Sequence, residues 1–169
     1  LPESQAFTLS VAIFGLSFLW YPAVMRLAGR LGKKRVLSLG FVAQVFVFCV
    51  IPLVGLAPAI PVLAWAVVIA VGQSAASAAF GILPTAMVAD AARAHSTRTG
   101  SSIEGAYFGV NSFAMKLAVS PANRAFPSFL LLGRSAERSL GIRLSGAAAA
   151  ALTVVGYLVL RRYEEAEEA

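Results

Sequence analysis

The chain reads, from residue 36 to residue 89, VLSLGFVAQVFVFCVIPLVGLAPAIPVLAWAVVIAVGQSAASAAFGILPTAMVA. These 54 consecutive residues include no Asp, Glu, Lys or Arg. About 20 apolar residues in a helix cross a bilayer core, so the run is long enough for two crossings and a turn. Pro52, Pro58 and Pro61 lie in its middle and predict the position of the turn, because proline interrupts a helix. The run therefore predicts a membrane protein built from helices.

The composition of the whole chain leads to the same prediction. Of the 169 residues, 59% are hydrophobic and 13% are charged, and the mean hydropathy is +0.79. Soluble domains are about 45–50% apolar and about 25% charged, so this chain has too few charges to cover a soluble surface. An ordinary cytosolic enzyme, a disordered tail and a disulfide-built secreted domain are excluded. Cys49 has no partner for an internal disulfide, and His95 has no His or Cys partner for a metal, so we expect no metal site.

Further apolar runs on either side predict three more helices. The five predicted spans cover residues 6–27, 36–55, 61–89, 102–131 and 142–161. The expected fold is therefore an all-α membrane protein, with five transmembrane helices in a single domain over residues 1–169. The sequence begins with Leu-Pro and lacks an initial methionine, and we expect it to be a fragment of a longer chain.

The basic residues predict the orientation of these helices. They occur in short clusters between apolar runs, as in membrane loops, so the chain's net charge of +6 does not indicate a continuous surface for nucleic acid. The loops after the first and third spans, with the C-terminal tail, hold nine Lys and Arg residues, against three on the other side. Cytoplasmic loops carry the excess of positive charge. The C-terminus is therefore expected in the cytoplasm, the protein in the plasma (inner) membrane, and the four tail glutamates in solvent.

Lys116 is the candidate of greatest functional interest. It lies about 13 residues into the fourth span, roughly 20 Å along the helix and close to the middle of a bilayer. A charge at this depth is costly and usually faces a polar interior. Small and polar residues recur on the same helical face at spacings of three and four, and they form a stripe: Gly105, Gly109, Ser112, Lys116, Ser120 and Asn123. The stripe predicts a substrate or ion pathway; the alternative is a buried lysine that is paired for structure.

The third span carries a similar face made by Gln73, Ser77, Gly81 and Pro84. One interpretation is close helix packing through small residues. The other is a cavity wall opposite Lys116, with Pro84 loosening the helix.

Four charged residues flank the connection between the third and fourth spans. We expect Asp90 to end one helix and Glu104 to lie in the first turn of the next, where the helix dipole favours an acid. Arg93 and Arg98 lie between them and could pair with both acids, and we expect the four residues to lie near one another or near the loop between the first and second spans. The group predicts either ordinary capping and loop charge or a cytoplasmic gate that breaks when the transporter mouth opens.

Residues 84–118 read PTAMVADAARAHSTRTGSSIEGAYFGVNSFAMKLA. This segment resembles the loop between helices ten and eleven of the glycoside–pentoside–hexuronide:cation symporters, which belong to the major facilitator superfamily and include the melibiose carriers. The match runs in register through Asp90, Thr99-Gly100, Glu104-Gly105 and Lys116. Residues 26–40, RLAGRLGKKRVLSLG, also resemble the superfamily's basic cytoplasmic loop, although Gly29 stands where that loop often has Asp.

The resemblance implies that the five spans are helices eight to twelve of a twelve-helix carrier. Helix seven and the N-terminal half of the carrier would then be partners that this sequence does not include. The other expected partners are the lipid bilayer and a small solute, which the resemblance implies is a sugar. Such a carrier works by alternating access and couples transport to Na⁺ or H⁺, with no other cofactor. In this family the lysine matching Lys116 is implicated in coupling sugar and cation binding, and Asp90 and Glu104 match the acids of the cytoplasmic loop.

Three positions depart from the family pattern. Arg93 replaces a frequent second acid, Ser102 replaces a basic residue, and Gly81 stands where the melibiose branch has Trp. A carrier of another solute, such as a lysolipid or a drug-like molecule, is therefore a second interpretation. A structural membrane subunit is a third. An intramembrane enzyme is disfavoured, because the sequence has no HExxH, no GxSxG and no paired membrane acids, so no catalytic residue is predicted.

Overall fold

The structure, a computed structural model, describes residues 3–53, 61–131 and 140–163. It contains five α-helices in chain order: α1 (Glu3–Leu31), α2 (Lys33–Val50), α3 (Val62–Thr99), α4 (Glu104–Leu130) and α5 (Leu140–Arg162). A 3-10 turn, Ile51–Leu53, extends α2. No strand occurs in the described ranges, so the predicted all-α class is confirmed. The predicted turn at Pro58, the loop with Arg134 and Arg138, and the acidic tail lie outside the described residues.

The connection between α1 and α2 is a single residue, Gly32. Its φ of 87° lies in a region that side chains with a Cβ rarely adopt, so glycine allows the chain to reverse without a loop. The Gly32 N–H donates to the carbonyl of Ala28 at 3.0 Å and closes the last turn of α1. The basic segment that separated the first two predicted spans is therefore helical on both sides of this glycine.

Helix α3 is longer than predicted. It has 38 residues, which corresponds to about 57 Å, and it continues nine residues beyond Asp90. The expectation that Asp90 ends this helix is therefore wrong. Charged residues predict the end of a membrane span, but alanines between Asp90 and His95 favour helix, and no Gly or Pro follows Pro84 before Gly100. Gly100, with a φ of 69°, ends the helix, and its N–H donates to the Ser96 carbonyl at 2.9 Å.

The centre of the packing lies where α1 and α2 contact α3. Small side chains on α3 let the helices approach closely, and Ser74, Ala76 and Ala78 have no exposed surface. A Cβ added to Gly40 of α2 would lie 2.9 Å from the Cβ of Ala79. A Cβ added to Gly72 of α3 would lie 2.7 Å from Cγ2 of Val47. The two glycines therefore set the distance between α2 and α3.

Helix α5 packs on the other side of α2. A Cβ on Gly156 would lie 3.0 Å from the ring of Phe41, and one on Gly146 would lie 3.3 Å from the Phe48 carbonyl oxygen. The Phe41 ring also packs edge-on against Phe80 of α3, with 4.8 Å between ring centroids. The aromatic ring of Phe41 therefore links three helices.

Helix α4 is packed much less than the others. It contacts α3 and α5, but every residue from 112 to 128 is exposed. Among the described residues, three helical segments are long and apolar enough to cross a membrane, namely Lys33–Leu53, Ala64–Thr99 and Arg143–Arg162; α4 is not among them. For α4 the reason is its content of Gly, Ser, Asn and basic residues, which lowers its hydropathy.

We expect Gly40→Ala to lower the free energy of unfolding by about 1–3 kcal/mol, because the added Cβ meets another Cβ that is fixed to a backbone. Gly29→Ala is the matched control, since a Cβ at this helical position meets nothing within 4 Å. The control should be neutral or slightly stabilising. Thermal unfolding of the purified variants in detergent measures both effects, and equal stability of the two variants would contradict the close packing of α2 on α3.

Candidate functional site

Two adjacent lysines at the start of α2 connect three helices at one end of the bundle. Lys33 Nζ donates a hydrogen bond to Oδ2 of Asp90 on α3, and the two groups form an ion pair. Their side chains are 34% and 38% exposed. A pair that is this accessible to solvent contributes at most about 1 kcal/mol to stability. Its geometric effect is to hold the α1–α2 junction against a point nine residues before the end of α3.

Lys34 makes the second connection. Its Nζ donates to the carbonyl oxygen of Arg161 at 3.2 Å and to that of Tyr163. These carbonyls lie at the C-terminal end of α5, where the last turn has unpaired acceptors and the helix dipole is negative. The Lys34 ammonium group donates hydrogen bonds to these carbonyl groups, and its positive charge is favourable at the negative end of the helix dipole. The α1–α2 junction, Asp90 and the end of α5 therefore lie on the same side of the bundle.

The other predicted gate residues are not joined to Asp90. Arg93, Arg98 and Glu104 are exposed, and no ion pair links either arginine to Asp90 or Glu104 among the described residues. The end of α3 instead contacts α4 through His95 and Tyr107, whose ring centroids are 5.9 Å apart. Asp90 therefore lies near the junction between the first two spans, one of the two expected locations, and its partner there is Lys33, which the sequence analysis did not single out.

The polar face of α3 is engaged with α2. Gln44 of α2, only 7% exposed, donates from Nε2 to Oε1 of Gln73 at 3.0 Å. Gln73 in turn donates from Nε2 to Oγ of Ser77 at 3.3 Å. This glutamine pair, Gln44 and Gln73, lies along the stretch where Gly40 and Gly72 bring the helices together. The contacts of Gln73 and Ser77 match the helix-packing interpretation of this face.

Gly81, the third predicted residue of that face, lies next to an aromatic ring of α1. A Cβ at Gly81 would be 3.6 Å from the Tyr21 hydroxyl oxygen. Tyr21 packs edge-on against Phe18 with ring centroids 5.3 Å apart. The space beside Gly81 is therefore bordered by an aromatic side chain from a different helix.

Lys116 lies 12 residues after the start of α4, about 18 Å along its axis. Its side chain is exposed and forms no hydrogen bond or ion pair with any described residue. Ser112, Ser120 and Asn123 of the same stripe are also exposed. A Cβ at Gly105 or Gly109 would meet nothing within 4 Å. The small-and-polar stripe of α4 is therefore an open face in this arrangement of helices.

Within the described ranges, no three His, Cys, Asp or Glu residues are grouped so that they could hold a metal ion. The candidate site thus consists of two parts, the basic junction around Lys33 and the open stripe of α4.

A family model described as MFS/sugar transport protein matches residues 3–126. The chain belongs to this family. No curated protein and no solved structure matches the chain with statistical significance.

Membership of the MFS/sugar transport family makes this chain part of a secondary transporter in a membrane, and it favours transport over catalysis. The matched segment runs from α1 through most of α4, so it includes Lys33, Asp90 and Lys116.

Sequence reasoning missed the partners of the predicted residues. Lys33 and Lys34 were counted only as positive loop charge, and Gln44 was not singled out. A signal for Gln44 was present, because an amide in an otherwise apolar span needs a partner, and Gln73 is the corresponding amide of the next span. No comparable signal pointed to the pairing of Lys33 with Asp90, which are 57 residues apart.

We expect Gln73→Leu to lower the free energy of unfolding by about 1–2 kcal/mol, because it leaves the buried amide of Gln44 without its partner. The double variant Gln44→Leu/Gln73→Leu should cost less than this single change, since it leaves no unpaired amide. Chemical unfolding of the four members of this double-mutant cycle tests the coupling. Strictly additive effects would contradict a direct interaction between the two side chains.

Proposed function

We propose that this chain is part of a symporter that carries a sugar or sugar acid together with Na⁺ or H⁺ by alternating access. In this proposal α1 to α5 occupy the positions of helices eight to twelve of a twelve-helix carrier, and the solute and ion bind between this part and the other half. The family membership of the chain and the in-register resemblance of residues 84–118 support it.

The observation that carries the proposal is the position of Lys116. A lysine near the middle of a membrane helix is tolerated where it faces a polar partner or water, because a charge in hydrocarbon costs several kcal/mol. Around Lys116 the stripe of small and polar residues leaves open space and offers hydroxyl and amide groups. An open, polar face with one positive charge suits a solute rich in hydroxyl groups or carrying a carboxylate. Ser112, Ser120 and Asn123 would contribute to this pathway.

The Lys33–Asp90 ion pair supplies the second part of the mechanism. We name this pair the cytoplasmic latch. Its energy is small, so its role is to bias one access state and not to hold the fold. Both members of the latch lie in the same half of the carrier, so the latch would break only when the end of α3 moves relative to the α1–α2 junction during the change of access state.

The orientation follows from the charges. The end of the bundle that holds Lys33, Lys34 and the end of α5 carries the larger number of basic residues, which supports a cytoplasmic position by the positive-inside rule. The C-terminus is then cytoplasmic, and the carrier lies in the plasma (inner) membrane.

A carrier of a less polar solute, such as a lysolipid or a drug-like molecule, is the second candidate. Gly81 favours this second candidate, because position 81 of α3 carries no aromatic ring that could stack on a sugar. Tyr21, near Gly81, is a ring that favours the sugar carrier instead. Competition of labelled sugar uptake by sugars and by lysolipids distinguishes the two.

We expect Lys116→Met, in the carrier that contains this chain, to lower cation-driven accumulation of substrate at least about tenfold while the protein stays folded and inserted. The change keeps the length of the side chain and removes its charge and its hydrogen-bond donors. Uptake of labelled substrate under an imposed Na⁺ or H⁺ gradient measures the effect.

The matched control for Lys116→Met is Arg124→Gln. Arg124 is an exposed basic residue of the same helix, about 80° around it from Lys116 at about 100° per residue. The control should accumulate substrate normally. If the Lys116→Met variant also accumulated substrate normally, that result would contradict the proposal.

We expect Lys33→Gln and Asp90→Asn each to shift the balance of access states by up to about fivefold, the equivalent of about 1 kcal/mol. The exchange Lys33→Asp/Asp90→Lys should restore most of the original balance, because it keeps an ion pair. Distance distributions between spin labels at Arg35 and Arg98 report the states. The control is Arg93→Gln, which removes an exposed charge close to Asp90 that forms no ion pair with any described residue. This control should leave the balance of access states unchanged. If it shifted the balance as much as Lys33→Gln does, that result would argue against a specific latch.

A further inference from the structure

The groove between α1 and α2 is apolar at one end and basic at the other, which is complementary to the acyl chain and the charged headgroup of an anionic phospholipid. It is a cavity of about 530 Å³ that opens between the two helices, and small side chains of α3, Ala75 and Ala79, form its floor. Trp20 lines one end and Arg26 and Arg30 line the other. The lining between them is apolar on both walls. The groove therefore changes from apolar to basic along the direction of the helices.

The two arginines are free to bind an anion. Both are exposed, and neither forms a hydrogen bond or an ion pair with any described residue. They are four residues apart on α1, which places their Cβ atoms about 5–6 Å from each other on one face. Two guanidinium groups at this spacing can bind the oxygens of one phosphate from two sides, and each can do so in a bidentate manner.

The depth of the arginines fits a lipid headgroup. Arg30 and Arg26 precede the end of α1 at Leu31 by one and five residues, about 1.5 Å and 7.5 Å along the helix axis. Lys33 lies at the polar end of the bundle, where its ion pair with Asp90 is open to solvent. Arginine side chains at this depth reach up to the interface while their methylene groups remain in apolar surroundings. Trp20 is about 15 Å below Arg30 by the same measure, where an acyl chain would lie.

We propose that this groove binds one anionic phospholipid of the leaflet on the side of the α1–α2 junction, with its phosphate on Arg26 and Arg30 and an acyl chain along the apolar walls beside Trp20. Basic sites between membrane helices on the cytoplasmic side are suited to such headgroups. A second copy of the chain or another helix of the carrier would fill the apolar part equally well. Neither is favoured by the two unpaired guanidinium groups, which require negative charge. The proposal is independent of the solute that the carrier transports.

Trp20 is a built-in reporter for this site, because the chain has two tryptophans and the other, Trp65, can be replaced. The Trp65 indole N–H is buried and has no hydrogen-bond partner in the described part of the chain, so Trp65→Phe removes an unsatisfied group and should be tolerated. In this background the protein is placed in bilayers that contain phosphatidylglycerol or phosphatidylcholine with brominated acyl chains. Quenching of Trp20 fluorescence then measures which lipid lies in the groove. The additional change Trp20→Phe gives the background fluorescence to be subtracted.

The expected result is that brominated phosphatidylglycerol quenches Trp20 at about tenfold lower mole fraction than brominated phosphatidylcholine. Arg26→Gln/Arg30→Gln should abolish this preference. Arg161→Gln/Arg162→Gln, which removes the same charge from exposed residues at the same end of the bundle, should keep it. Ala43→Phe fills the groove with every charge intact and should also remove the preferential quenching. This variant keeps the test decisive if the arginine variant does not fold.

Three results would overturn the proposal. Equal quenching by the two lipids would mean that only ordinary boundary lipid reaches Trp20. No quenching by either lipid would mean that protein covers the groove, whether from a second copy or from another part of the carrier. Loss of the preference in Arg161→Gln/Arg162→Gln as well would mean that the general surface charge, and not the groove, attracts the lipid.

Discussion

The close contact between α2 and α3 is the constraint on which the other features of this structure depend. Helices in a membrane gain little from the hydrophobic effect when they associate, so packing and hydrogen bonds decide their arrangement. Gly40 and Gly72 let these two backbones approach until a single added carbon would collide. At that separation Gln44 reaches Gln73, and at the end of the same contact Lys33 reaches Asp90. The site at the junction is a consequence of this packing.

The molecule divides into a packed unit and an open helix. Helices α1, α2, α3 and α5 pack through small residues and through the ring of Phe41, whereas α4 is exposed along most of its length. This division suits a transporter, because a rigid support can hold a helix whose polar face remains available. The small residues of α4 do not serve close packing with described neighbours, in contrast to those of α2 and α3.

Basic residues at the junction lie in three different environments. Lys33 pairs with a carboxylate and Lys34 binds carbonyl groups at the end of a helix, and both of these partners lie within the chain. Arg26 and Arg30, by contrast, have no anion within the described residues. A count of charges for the positive-inside rule treats all four alike, although their environments are different. The positive-inside rule therefore depends only on the number of basic residues in this cluster, whereas the specific contacts depend on where each side chain lies.

The sequence by itself determined the helical class, the approximate positions of the five helices and the membership of the major facilitator superfamily, because these depend on the lengths of apolar runs and on local motifs. It located the unusual charge at Lys116 for the same reason. Only the tertiary structure decided that α3 continues to Thr99, that Gln73 turns to α2, and that Asp90 pairs with Lys33 instead of Arg93 or Arg98. The physical reason is that charge marks the edge of a membrane and not the end of a helix. Partners that are 29 or 57 residues apart meet only after the helices have packed.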